Sequence, residues 1–184
     1  MSLFFRKRNL VLVALAFLFS APAFCQYQAQ YDPRLTLGQP GQDENFMGNI
    51  LEDGNAAVLL SKLGTEKASS PDVKALAQKI MDTQAAIGKQ MSSDAAMTGT
   101  KLPQGLNKKY KKVEEKLNGL SGDAFDKEYV SAMVKLHHEM IGELRGEINN
   151  SHNASLQGDA QGAVQQCEML ADQIKAMNQK MGGH

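Results

Sequence analysis

From residue 43 onward, apolar residues return every three or four positions, and the stretches between them are short and polar. That period puts apolar side chains on one face of an α-helix. Phe46, Ile50, Ala57 and Leu60 mark a first helix over about 43–63, which Gly48 and Gly54 weaken by about 1 kcal/mol each relative to alanine. The run "ASSPDV" predicts a helix start: Ser70 as N-cap, Pro71 at the first helical position and Asp72 at the positive end of the dipole. The second helix then carries Val73, Leu76, Ala77, Ile80, Ile87 and Met91 on one face and ends near Met97. "TGTKLPQG" breaks it, and a short basic helix with "KKYKK" on its exposed side is expected over about 104–117. After "NGLSG", Asp123 can cap a third long helix over about 123–149. The last helix, over about 153–181, repeats Leu156, Ala160, Ala163, Cys167, Leu170, Ile174, Met177 and Met181. No stretch alternates with the two-residue period of a strand. The prediction is an all-α, antiparallel four-helix bundle with a short extra helix in the central connection.

The first 42 residues break this pattern. Arg6, Lys7 and Arg8 precede an apolar run of 10 residues, Leu10 to Phe19, and small residues follow. This is the order of a secretory signal peptide, and the run is shorter than the ~20 residues a membrane-spanning helix needs. Cleavage after Ala23 or after Cys25 fits the small-x-small rule, with the second favoured. Pro22 and Phe24 are poor neighbours for lipidation of Cys25. Residues 1–25 are therefore read as the signal peptide, 26–42 as a flexible leader rich in Gln, Pro and Gly, and 43–181 as the helical domain. Export places the domain in the periplasm or outside the cell.

Composition narrows the partners. Removing three cations and no anions from a chain of net charge zero leaves −3, too little positive charge for a nucleic-acid or anionic-membrane partner. With no Trp and 6% aromatic residues, the core must be aliphatic, alanine and methionine. If cleavage follows Cys25, Cys167 stays unpaired, on an apolar stripe where a thiol acts as a small hydrophobe.

The candidate chemistry centres on the adjacent pair His137 and His138. At about 100° per residue, His137 falls within the apolar arc of Phe125, Tyr129, Met133, Leu136, Met140, Ile141, Leu144 and Ile148, whereas His138 faces water. The two rings cannot jointly hold one ion. Nor does either complete Glu-x-x-His, since Val134 and Lys135 occupy the positions three before them. His137 is read as a partly buried, hydrogen-bonded packing residue, with metal ligation as the alternative. Ten methionines invite a Cu(I) reading, but they form no Met-x-x-Met runs, and methionine is a natural core filler. No Gly-x-Ser-x-Gly, no cysteine beside a base and no phosphate-cradling glycine loop is present.

Three stretches carry a family resemblance: "SPDVKALAQKIMDTQ" at 70–84, "TGTKLP" at 98–103 and "LSGDAFDKEYVSAMVKLHH" at 120–138. They resemble the bacterial exported family of domain of unknown function 4142, over about residues 43–181. Leu120, Ser121, Gly122, Phe125, Asp126, Tyr129, Met133, Val134 and His137 match its pattern Leu-Ser-Gly-x-x-Phe-Asp-x-x-Tyr followed by Met-Val-x-x-His. The resemblance implies a ferritin-like helical bundle in the cell envelope, in some members associated with the outer membrane. It implies no reaction. Gln84 stands where the family usually has His, Ala57 aligns with a usual acidic residue, and the usual His of the last helix has no counterpart.

Three functions follow. The favoured one is non-enzymatic binding or scaffolding in the cell envelope, with no cofactor. The alternative is a ferritin-like metal binder or oxidase, with a transition metal on His137 and oxygen ligands among Glu52, Asp53, Gln84 and Glu139. A third is docking of an acidic partner on Lys108, Lys109, Lys111 and Lys112 of the 104–117 segment.

Overall fold

Every amphipathic stretch is a helix in the computed structural model, which describes residues 42–151 and 153–183. The signal peptide, the leader up to residue 41, His152 and His184 lie outside the described residues. The helices are α1 (Gln42–Lys67), α2 (Pro71–Thr98), α3 (Lys108–Asn118), α4 (Gly122–Asn150) and α5 (Ala154–Lys180). Among the described residues there is no strand.

Short connections make two hairpins, α1 with α2 and α4 with α5, and the hairpins meet through α1 on α4 and α2 on α5. Polar sutures give the directions. Ser151 Oγ donates to Asp43 Oδ1 at 3.4 Å near one end of the α1–α4 pair, and Ser61 and Tyr129 bond at 2.8 Å near the other. Lys180 reaches Asp72 at 2.6 Å, and Gln90 reaches Asp159 at 2.8 Å, so α2 and α5 also run in opposite directions. All neighbouring long helices are antiparallel.

The four stripes converge on one core, where Met47, Leu60, Ile80, Met133, Leu144 and Leu156 are completely or almost completely buried. Each such side chain contributes about 2 kcal/mol by leaving water. Methionine fills this core at positions 47, 91, 133 and 140, but Met169 is 60% exposed, contrary to the expectation that the methionines serve as filler.

Local signals set the ends, with corrections. Ser70 is the N-cap of α2 by its extended backbone, yet its side chain makes no capping bond. The cap of α4 is Ser121, not Asp123, which is the second residue of the helix, in its first turn. Gly122, at φ 58, supplies the left-handed turn that swings the chain into α4, which explains the glycine of the Leu-Ser-Gly match. Helix α3 begins four residues later than expected, because Asn107 is its cap and accepts from Tyr110 N at 3.1 Å.

Candidate functional site

The segment of α4 that carried the resemblance is first of all a joint between helices. Phe125 and Tyr129 are fully buried and stack with ring centroids 6.1 Å apart and planes 2° apart. Asp126 is only 1% exposed. Its carboxylate accepts from Ser69 N at 2.9 Å, Ser69 Oγ at 2.7 Å and Ser70 N at 2.8 Å, capping α2 from another helix. Lys67 lies over the Phe125 ring and donates to the Leu117 and Asn118 carbonyls at the end of α3. Met133 is buried and Val134 half-buried. These groups are consumed by architecture.

One turn further on, His137 is fully buried, deeper than the partial burial expected for it, while His138 is exposed. Its Nδ1 lies 3.0 Å from Met133 O, and its Nε2 lies 3.3 Å from Gln84 Nε2. A carbonyl oxygen can only accept, so Nδ1 carries the proton. Burial pulls His137 down to about 4, so the ring is neutral at pH 7 and Nε2 is an acceptor for the Gln84 amide. The second Gln84 N–H points to Cys167 Sγ at 3.6 Å, and Cys167 Sγ lies 3.4 Å from Met140 Sδ. Burial pushes the free Cys167 thiol up to about 11, which leaves it protonated and a poor nucleophile.

Gln84 is 1% exposed, and its Oε1 is buried without a partner. It borders a cavity of about 280 Å³ between α1, α2 and α4, walled by apolar residues such as Ile50, Ile87, Met91 and Leu144. Gly54 of α1 is part of the wall, and a Cβ there would lie 3.8 Å from Gln84 Oε1. Leu102 and Pro103 close one side, on a connection that Asn55 ties down by donating to Gly105 O at 3.0 Å.

The other proposed oxygen ligands lie elsewhere. Asp53 accepts from Tyr110 Oη at 2.6 Å, Glu52 accepts from Asn107 Nδ2 at 2.8 Å, and Glu139 pairs with Lys109. They gather where α3 crosses α1 and α4, each on its own partner. Among the described residues, no three His, Cys, Asp or Glu side chains form a group that could hold a metal ion. Burial raises Asp53, although the bond from Tyr110 opposes this. Of the basic segment, Lys109 is engaged by Glu139, whereas Lys108, Lys111 and Lys112 are exposed.

Sequence reasoning missed Glu143 in this cluster. Its Oε2 is buried without a partner, and burial first, then the charges of Asp53 and Glu139, push it up to about 7 against the pull of Lys109. Between its ordinary value and 7, the folded chain keeps a proton that the unfolded chain has lost. Its contribution therefore favours folding most in acid and is lost as pH rises toward 7. A Glu143→Gln chain is expected to resist urea better than wild type at pH 8, with the gap closing by pH 4. Equal gaps at both pH values would contradict this assignment.

The family model described as domain of unknown function (DUF4142) matches residues 29–177. No curated protein matches the sequence. Two crystal structures share the fold. One is "putative secreted protein DUF305" from Streptomyces coelicolor, with TM-score 0.66 and 17% identity, covering 77% of this chain and 93% of that one. The other is the DUF305 fragment from Deinococcus radiodurans, with TM-score 0.65 and 16% identity, covering 79% of this chain and 98% of that one.

Proposed function

The chain belongs to the DUF4142 family, and from that premise we propose that it is an exported, non-enzymatic binding protein of the cell envelope that takes a small molecule between α1, α2 and α4. The proposal includes a ferritin-like antiparallel four-helix bundle as the scaffold. It also includes a periplasmic or secreted location, with the outer-membrane association that the family resemblance implies. The signal-peptide pattern of residues 1–25 supports export, as does the name of the Streptomyces coelicolor neighbour. No helix among the described residues is long and apolar enough to cross a membrane.

The observation that carries the reading is the cavity of about 280 Å³ with apolar walls. An apolar void of about 150 Å³ already binds benzene, so this one has room for two fused rings. Neither of the buried ligand candidates nearby is free: His137 is bonded to Met133 O and Gln84, and Asp53 to Tyr110, which supports binding rather than metal chemistry.

The test is calorimetric titration with 1-methylindole, a compact apolar probe without a hydrogen-bond donor. Wild type is expected to bind it saturably at one site. Gly88 lies on the cavity wall, and a Cβ there meets nothing within 4 Å. A Gly88→Leu chain is expected to lose the binding as its side chain fills the void, while gaining about 0.8 kcal/mol of helix propensity. Unchanged binding in that variant, or no binding in wild type, would refute the proposal.

The metal-binding alternative predicts something different: a stoichiometric transition metal in untagged protein, lost on His137→Ala. Elemental analysis of both chains separates the two readings.

A further inference from the structure

We infer that one end of the bundle is an acid-closed latch, in which two carboxyl pairs bridge the hairpins: Asp43 of α1 with Glu147 of α4, and Asp94 of α2 with Asp159 of α5. When these pairs lose their shared protons, this end parts while the opposite end stays closed.

Each long helix contributes one of the four residues. Asp43 and Asp159 lie near the starts of α1 and α5, and Asp94 and Glu147 near the ends of α2 and α4. Because neighbouring helices are antiparallel, all four gather at the same end. Asp43, Asp94 and Glu147 are buried, and Asp159 is half-buried. Within each pair the carboxyl groups are in hydrogen-bonding contact. An ionised carboxylate can only accept, so each contact needs a proton on one of its two members. Around the first pair stand Ser151, whose Oγ donates to Asp43 Oδ1 at 3.4 Å and which also bonds Glu147, and Asn49, Glu143 and Asn150, which share a surface hollow with Glu147. Beside the second pair, Gln90 Nε2 donates to Asp159 Oδ1 at 2.8 Å.

The opposite end is held by contacts that need no such proton. Asp126 accepts from Ser69 and Ser70, Tyr129 bonds Ser61, and Lys180 donates to Asp72 at 2.6 Å and holds that carboxyl below its usual range. At the latch the trend is reversed. Burial first, then the bond to Asp159 and its charge, raises Asp94 to about 6. Burial is also the main cause that raises Glu147, with Asp43 adding to it and Ser151 opposing it. Closed, the pairs keep protons that the parted groups would release. Their contribution to closure is therefore full in acid, and for Asp94 it is lost as pH rises from the ordinary carboxylate value through about 6. Above that, like charges face each other across both seams.

Amide hydrogen exchange of the purified protein at pH 5 and pH 8, corrected for intrinsic exchange rates, tests this. Amides of 88–96 and 156–163, at the latch, are expected to lose about tenfold of their protection at pH 8, since one unit of proton affinity is tenfold in the closing equilibrium. Amides of 73–80 and 170–176, at the other end of the same two helices, are expected to keep theirs. A chain carrying both Asp43→Asn and Asp159→Asn has an amide facing one carboxylate in each pair, and an amide donates at either pH. It is expected to hold its pH 5 protection at pH 8. Equal protection of the wild-type latch at both pH values would overturn the inference, and so would an equal loss at both ends, which marks loosening of the whole domain. A loss that persists in the double variant would overturn it too, by assigning the effect to other groups such as Glu143. The comparison of the two ends uses wild type alone, so a poorly folding variant does not shield the idea.

Discussion

An Asp126→Ala chain is expected to lose about 4 kcal/mol of folding stability in urea denaturation, the largest effect of any single change considered for this protein. The carboxylate is buried and accepts three hydrogen bonds, two from the backbone N–H groups of Ser69 and Ser70 and one from the Ser69 hydroxyl. Hydrogen bonds to a charged group contribute about 1.5–3 kcal/mol each, and alanine also strands the two N–H groups it leaves behind. The damage is not local. Asp126 joins the α1–α2 turn to the start of α4, and Lys67, two residues before Ser69, holds the end of α3. Asp126→Asn keeps one acceptor oxygen and is expected to recover part of the loss. Should alanine cost less than about 1 kcal/mol, the carboxylate does not hold this joint.

Gly64→Ala comes second, at about 2 kcal/mol net destabilisation. A Cβ at Gly64 would lie 2.9 Å from both Ala77 Cβ and Tyr129 Cζ, closer than carbon atoms can approach. Neither neighbour yields easily. Ala77 Cβ is fixed to the α2 backbone, and the Tyr129 ring is stacked on Phe125 with its hydroxyl held 2.8 Å from Ser61. Overpacking of about 3 kcal/mol therefore outweighs the gain of about 1 kcal/mol that alanine brings to a helix interior. A Gly64→Ala, Ala77→Gly pair removes one of the two clashes. It is expected to show a coupling of about 1 kcal/mol in a double-mutant cycle. Simple additivity of the two changes would mean that α1 and α2 move apart rather than collide.

Much of the helical layout could be read from the chain because its cues are local. Pro71 can begin a helix but not continue one, Gly122 permits a turn that other residues resist, and the stripe from Leu156 to Ile174 has a single helical reading. Errors fell where a capping group competes with its neighbours. Asp123 and Ser121 are both plausible caps, and Asn107 claimed residues that looked helical.

The candidate site was only half legible. A helical wheel placed His137 on the inner arc and His138 outside it, since that depends on one helix alone. The same wheel puts Asp126 and Glu147 on the arc of Met133 and Met140, and Gln84 between Ile80 and Ile87, where all three are buried, but it does not say which partners they find. Asp126 is inside because the amides of Ser69 and Ser70 wait there. Gln84 is inside because His137 and Cys167 offer it partners from two other helices.

What the chain's own residues determined was every helix, the faces that turn inward and the family to which they belong. Hydrophobic period, prolines and glycines act over a few neighbouring positions, so they can be read without knowing what lies opposite. Tertiary packing alone decided which polar groups are satisfied in the core, which way the Gln84 amide points and where a cavity remains. Those outcomes depend on atoms 53 and 83 positions away from Gln84 arriving within hydrogen-bond distance of it, and no local pattern encodes that arrival.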